Sequence, residues 1–339
     1  MNMKDIICDL PGQLERAWLK AASLGVQASG NGYGAIYIGG MGGSAIAGDI
    51  LSDYAGNSMT VPIRVVRGYT LPPSPAGRLL FLASSYSGNT EEVLSLLDQA
   101  EEAGADILVA TSGGILKQRA EDEGYPSIDL PAGYPPRGAL GYSFASILFM
   151  LRRFYPALDV EGDLGRVSDL LKGLTTSYAS GGEDSEPYRL ANIILGRIPV
   201  IYVSSHIASV AVRWKCQFSE NAKVLAFVGV LPEIDHNEIS GWENYPGILK
   251  DLHVLILRDS GEHRRVAARM EITGDMIRPF SGGVTAVESI GKSLLERIFS
   301  LIYKGDFVSF YLSHLLDTDP MTVSKIDELK DRLLRIRGG

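Results

Sequence analysis

The sequence predicts an α/β protein made of two doubly wound parallel sheets, each in three α/β/α layers, with helices closing the chain. Three observations predict it. Short apolar runs recur, each ending abruptly in glycine or small polar residues, and such runs are strands buried on both faces, as in a parallel sheet. Helical patterns separate them, which places helices on both faces of the sheet. The pattern then restarts in the second half of the chain, the mark of a duplicated unit.

The elements follow in order. An amphipathic start carries Leu10, Leu14, Trp18 and Leu19. The first strand, residues 35–38, runs into Gly39-Gly40-Met41-Gly42-Gly43-Ser44-Ala45 and a helix. Residues 63–66, 79–83, 106–110 and 127–130 read as further strands, and residues 90–103 and 115–122 as helices. Residues 159–187 are richer in Gly, Ser and charge, which divides the chain into units of residues 1–158 and 159–339. In the second unit a strand at residues 199–203 leads into a helix over residues 207–221. With Tyr202 set over Tyr37, Tyr202-Val203-Ser204-Ser205 aligns with Tyr37-Ile38-Gly39-Gly40, and Ser209 with Ser44. Residues 252–257 end in Arg258-Asp259-Ser260-Gly261, echoing the strand end before Ser87-Gly88. Residues 284–287 add one more strand, and residues 289–316 and 323–334 are long helical patterns.

Composition narrows the class. The chain has 339 residues, 45% hydrophobic and 21% charged, as in an ordinary globular protein. Its 40 acidic residues against 32 basic ones leave a net charge of −8, which argues against nucleic acid as the main partner. Cys8 and Cys216 fit no metal-binding or redox spacing and are expected as reduced thiols. The first residues lack the basic start and apolar run of a signal peptide. The apolar stretch at residues 144–151 is too short to span a membrane. A soluble cytoplasmic protein is expected.

Two loops carry candidate chemistry. In the first, glycines let backbone N–H groups approach an anion while the following helix points its positive end at the same place. Gly40-Met41-Gly42-Gly43-Ser44-Ala45 also satisfies G-x-G-x-x-A, the dinucleotide fingerprint. No acidic residue ends the next strand, which reads Arg64-Val65-Val66-Arg67 and would suit NADP rather than NAD. The second loop is Ser84-Ser85-Tyr86-Ser87-Gly88-Asn89-Thr90-Glu91-Glu92. Asn89 with Glu92 has the spacing of a capping box. The hydroxyls of Ser85, Ser87 and Thr90 are left over, and hydroxyls with free N–H groups at a helix start bind a phosphate monoester. With no Walker lysine nearby, a small sugar phosphate is favoured over a nucleotide.

These loops, with Pro136-Arg137-Gly138, Ser219-Glu220-Asn221-Ala222-Lys223 and Asp235-His236-Asn237-Glu238, resemble the motifs of the bifunctional phosphoglucose/phosphomannose isomerases, a family of the sugar isomerase (SIS) superfamily with two SIS subdomains per chain. Gly305-Asp306-Phe307-Val308-Ser309 and Ile326-Asp327-Glu328-Leu329-Lys330 extend the resemblance almost to the end. It implies a homodimer that interconverts glucose 6-phosphate, and mannose 6-phosphate, with fructose 6-phosphate through a cis-enediol, without metal or organic cofactor. By the same resemblance Gly43, Ser44, Ser85, Ser87 and Thr90 bind the substrate. Glu220 is the base that moves the proton between C2 and C1, a task suited to a carboxylate within reach. Arg137 stabilises the enediolate with a permanent charge. His236 assists ring opening from the neighbouring subunit, Lys330 works with it on the ring oxygen, and Thr322 stands nearest to the family's active-site threonine.

Read without the resemblance, Glu220 suits a solvated helix end, Arg137 a surface ion pair, and Lys330 a charged helix face. No second histidine lies at ligand spacing from His236, and His206, His253, His263 and His314 read as packing or surface residues. Three rival functions stay open: an isomerase of another phosphosugar, a non-catalytic phosphosugar sensor, and an NADP-dependent reductase. The sensor would need the hydroxyl cradle but neither Glu220 nor His236.

Overall fold

The protein is described by a computed structural model over residues 1–22, 32–56, 58–73, 77–155, 161–180 and 182–336. Helices α1 (Met3–Cys8) and α2 (Leu10–Ala22) precede the first sheet. That sheet comprises β1 (Tyr33–Gly39), β2 (Ile63–Val66), β3 (Arg78–Ser85), β4 (Asp106–Thr111) and β5 (Ser127–Asp129), interleaved with α3 (Gly42–Ala55), α4 (Glu91–Glu102) and α5 (Gly114–Asp122). Helices α6 (Leu140–Phe154), α7 (Glu161–Ser180) and α8 (Glu186–Ile194) lead to the second sheet. Its strands are β6 (Ile198–Ser204), β7 (Phe227–Leu231), β8 (Leu252–Arg258) and β9 (Val284–Glu288), connected through α9 (Ala208–Asn221), α10 (Pro246–Leu249) and α11 (Arg264–Ile277). Helices α12 (Leu294–Leu315) and α13 (Ser324–Ile336) end the described chain.

All pairings are parallel, in the orders β2-β1-β3-β4-β5 and β7-β6-β8-β9. The first four strands of each sheet occupy equivalent places, as duplication requires. Registers agree: Tyr37 faces Phe81 across β1 and β3, and Tyr202 faces Ile256 across β6 and β8. In each sheet the chain goes to one side of its first strand and then returns to the other. That reversal opens a crevice at the carboxyl ends of β1 and β3, and of β6 and β8, where ligands bind in open α/β sheets.

The layers are set by burial. Alternate residues of β1 and β3 feed two cores, an outer one under α4 and α5 and an inner one shared with the second sheet. The inner core runs without a break from Ile36 and Leu80 through α6 and α12 to Ile201 and Leu255. Residues 144–151, read in the sequence only as an apolar run, are the middle of α6, which is buried on every side because it lies between the sheets. The compositional shift at residues 159–187 does not mark a loose linker. Leu164, Val167 and Leu171 anchor α7 in the inner core, while the division at 158/159 itself lies outside the described residues. Strand β7 was hidden by its edge position, where exposure alternates and Phe227 faces out. At the start of the chain Leu10 and Leu14 are buried as expected, whereas Leu19 points outward. Among the described residues no helix is long and apolar enough to cross a membrane.

Candidate active site

The first sheet's crevice is built from backbone turns that only particular residues allow. Gly43 opens α3 so close to the next loop that a Cβ there would come within 2.9 Å of the Pro136 carbonyl. Gly88 has φ +71°, and a Cβ on it would fall 1.7 Å from the Gly113 carbonyl oxygen. These approaches gather Ser44, Ser85, Ser87 and Thr90. The Ser44 hydroxyl accepts from the Tyr86 N–H at 3.3 Å, and Ser85 Oγ lies 2.8 Å from Thr90 Oγ1. Ser85 Oγ also accepts from the Gly88 N–H at 3.1 Å, and exposed Ser87 accepts from the Asn89 N–H at 3.3 Å.

The expected capping box is absent. Thr90 is the N-cap of α4 and makes no side-chain cap bond. Asn89 instead accepts from the Ile115 N–H at 3.0 Å, and the Gly88 carbonyl accepts from Leu116 N–H at 2.9 Å. The loop leans on the first turn of α5 because the Gly88 turn directs it there, so the amino end of α4 faces the crevice without an Asn89 cap. Arg67, which a dinucleotide's extra phosphate would need, is ion-paired with Asp49 of α3.

Arg137 sits in a 3-10 turn (Pro136–Ala139) at the start of α6. The loop before it is pinned to the hydroxyl loop by Tyr86, whose Oη donates to the Pro131 carbonyl at 2.7 Å and accepts from the Tyr134 N–H at 2.9 Å. The Arg137 side chain is only 3% exposed. Its Nε donates to Asn221 Oδ1 at 2.8 Å, and its Nη1 meets Glu220 Oε2 at 3.4 Å. Its Nη2 donates to the carbonyls of Pro320 and Met321. Burial draws the guanidinium pKa down, while Glu220 opposes that shift, and an arginine stays protonated through such a change. The fixed cation thus lies against a carboxylate that keeps 24% of its side-chain surface open.

Behind this pair runs a buried polar chain that the sequence did not disclose. Asn221 Nδ2 donates to Ser309 Oγ at 2.9 Å, and Ser309 Oγ donates to the Asp306 carbonyl at 2.7 Å. Asp306 holds Arg213 through two bonds of 3.0 and 2.8 Å. The residues of Gly305-Asp306-Phe307-Val308-Ser309 therefore act from α12 as the backing of Asn221, and through it of Arg137. Their order in the sequence shows the motif but not its target.

Three other candidates do not meet Glu220 within the chain. His236 ends a 3-10 turn (Glu233–His236) after β7 and is exposed. Among the described residues its ring has no hydrogen-bond partner. The loop is nonetheless anchored: Asp235 accepts from Arg269 Nη1 at 3.0 Å and Thr273 Oγ1 at 2.8 Å, and Glu238 accepts from Tyr202 Oη at 2.7 Å. Lys330 lies on α13, which buries no residue and leaves Ile326, Leu329 and Leu333 exposed. Thr322 lies in the segment that Arg137 grips, with its carbonyl bonded to Lys223 Nζ at 2.8 Å.

The remaining histidines have structural surroundings. Burial pushes His253 down to about 4, His263 caps α11, and His314 bonds the Phe310 carbonyl. His206 is more than a packing residue, since it bridges Ser204 and Asp259 at 2.7 and 2.9 Å. Among the described residues no group of three or more His, Cys, Asp or Glu side chains is placed to hold a metal ion.

Two tandem parallel sheets, with a hydroxyl-lined crevice at the switch point of the first, are a doubly wound architecture of the SIS class. The fold of Escherichia coli tagatose-6-phosphate ketose/aldose isomerase agrees with a TM-score of 0.71 over 94% of each chain, at 18% identity. The chain belongs to the bifunctional phosphoglucose/phosphomannose isomerase family. It is 38% identical to the Caldicellulosiruptor bescii member over 99% of this chain and all of that one. The Aquifex aeolicus member is 37% identical over 89% of this chain and 91% of its own length. Residues 183–333 match the family model described as the bacterial phospho-glucose isomerase C-terminal SIS domain.

Proposed function

We propose that this protein is a cytoplasmic, homodimeric aldose–ketose isomerase that interconverts glucose 6-phosphate and mannose 6-phosphate with fructose 6-phosphate through a cis-enediol. The relatives are named for both hexose phosphates. The observation that carries the reading to this chain is the pair of Arg137 and Glu220, held at 3.4 Å with the Arg137 backbone against Gly43. The phosphate is received by Ser85, Ser87 and Thr90 at the start of α4, with Gly43 and Ser44 closing the other side. In the open-chain aldose the Glu220 carboxylate takes the C2 proton. The electron pair forms the C1–C2 double bond, and the carbonyl oxygen becomes the enediolate oxygen that Arg137 stabilises. A proton passes from O2 to O1, Glu220 returns its proton to C1, and C2 becomes the carbonyl. Glucose and mannose 6-phosphates share this enediol and differ in the face from which C2 loses its proton.

Ring opening is assigned to His236 of the partner subunit together with Lys330. Exposed, anchored and without a ring partner among the described residues, His236 is suited to meet a neighbouring molecule, and a two-fold axis makes the exchange mutual. No cofactor enters any step. A coupled assay on each of the three hexose phosphates, with EDTA present, is expected to show turnover on all three. Absence of turnover on every one overturns the reading. Mixed Glu220→Gln and His236→Ala homodimers are expected to recover about a quarter of wild-type activity if subunits pair at random. No recovery after exchange is verified by mass places both residues in one chain.

A further inference from the structure

Four successive carbonyls turn inward where the chain passes from α12 to α13. Those of Asp319 and Thr322 accept from Lys223 Nζ at 2.9 and 2.8 Å. Those of Pro320 and Met321 accept from Arg137 Nη2. Residues 319–322 thus wrap two cations as a carbonyl strap. Lys223 Nζ also donates to the Glu220 carbonyl at 2.6 Å, so the three hydrogens of its ammonium each have a near acceptor. One end of this contact is the backbone of Glu220, and the other is the strap that leads into α13.

The backbone adds a second observation. Lys223 has φ +60°, a left-handed conformation that strains any residue with a Cβ and is usually filled by Gly or Asn at a helix end. The last turn of α9 is already closed by the N–H groups of Ala222 and Val224 on the Phe218 carbonyl at 3.1 Å each. Ending the helix would need only a glycine or asparagine. What the lysine adds is an ammonium on the side of the strap.

We propose that Lys223 is a positioning residue for the isomerisation. Its ammonium clamps residues 319–322 to the carboxyl end of α9, fixing the Glu220 backbone and the entry to α13 relative to each other and to Arg137. Removing the clamp leaves the phosphate loop untouched, because Ser85, Ser87 and Thr90 belong to a different sheet edge and share no hydrogen bond with it. The effect therefore falls on turnover and not on substrate affinity. The inference rests on the isomerase reading above.

The test compares Lys223→Asn, which tolerates the left-handed backbone and lacks the ammonium, with Lys223→Arg, which keeps a cation there. Lys223→Asn is expected to lower kcat by about 10²-fold, with KM for glucose 6-phosphate moving by less than about threefold. Amide hydrogen exchange at residues 319–322 is expected to quicken in the same variant, and Lys223→Arg to restore most of both. Retained kcat in Lys223→Asn, unchanged exchange in the strap, an equal loss through KM, or no rescue by Lys223→Arg each overturns the proposal. If the wild-type protein turns over none of the hexose phosphates, the isomerase reading falls. The exchange measurement then still decides whether the clamp exists.

Discussion

The carboxyl edges of the two sheets occupy equivalent positions in a duplicated architecture and have taken opposite forms. At the first, the hydroxyls of Ser44, Ser85, Ser87 and Thr90 bond only one another and nearby backbone N–H groups. Among the described residues no side-chain anion takes part in these bonds. At the second, the fully buried Asp259 carboxylate draws in four donors. It accepts from His206 Nε2 at 2.9 Å, Gly261 N–H at 3.1 Å, Ser289 Oγ at 2.9 Å and Arg297 Nε at 2.6 Å. The hydroxyls of one edge are left to one another and to backbone N–H groups, while at the other four donors converge on a carboxylate of its own chain. Duplication supplies two equivalent crevices, and a single acidic side chain is enough to turn one of them into a structural joint between β8, β9 and α12.

The comparison can be broken from either side. Asp259→Ala has the largest expected effect on folding, since it leaves Arg297, only 14% exposed, beside an empty place. Breaking such a pair costs about 3 kcal/mol or more, to be measured as a loss of urea stability. KM for hexose phosphate should stay within about twofold of wild type, because no bond of the first edge is touched. A variant as stable as wild type would show that the joint is ornamental. Glu220→Gln should do the reverse, lowering turnover by at least about 10²-fold, or about 2.7 kcal/mol, at unchanged urea stability. Exchange of the substrate C2 proton with solvent should fall in parallel, and near-normal exchange would move the base elsewhere.

Smaller effects sharpen the contrast. Ser87→Ala removes one exposed hydroxyl from the open edge and should weaken a phosphate-bearing competitive inhibitor by about 2 kcal/mol. Ser289→Ala removes a hydroxyl that bonds Asp259 at the closed edge, and its inhibition constant should not move. Acid should act on the closed edge before the open one. Burial alone would raise the Asp259 pKa, but bonds from His206, Arg297 and Ser289 outweigh it and bring the value down from 3.8 to about 2. A folded-state value below the unfolded one contributes stability that is present above pH 3.8 and lost as pH falls towards 2. That contribution is on the order of 2 kcal/mol. Asp259→Asn should flatten the acid limb of the stability profile, as read by unfolding midpoints between pH 5 and about 2.

The parallel strands, the glycine turns and the hydroxyl loop were legible in the sequence because each is a local matter. A strand buried on both faces must be a continuous apolar run, as residues 79–83 are, and Gly88 occupies a turn that excludes a Cβ. The closing of the second edge was not legible. Arg258-Asp259-Ser260-Gly261 echoes the first strand end in the chain, yet Arg297, which engages Asp259, lies 38 residues away.

By itself the sequence determined the class of fold, the duplication and the residue types available at each strand end, since burial periodicity and backbone conformation are properties of neighbours along the chain. Tertiary structure decided which of those residues meet. Arg137 reaches Glu220 and Asn221 across more than 80 positions, and Lys223 reaches Asp319 and Thr322 across 96 and 99. Asn89 turned to α5 rather than to its own helix, and α7 joined a core shared by both sheets. Such hydrogen bonds depend on how packed layers bring distant donors and acceptors within reach, and no local spacing records that distance.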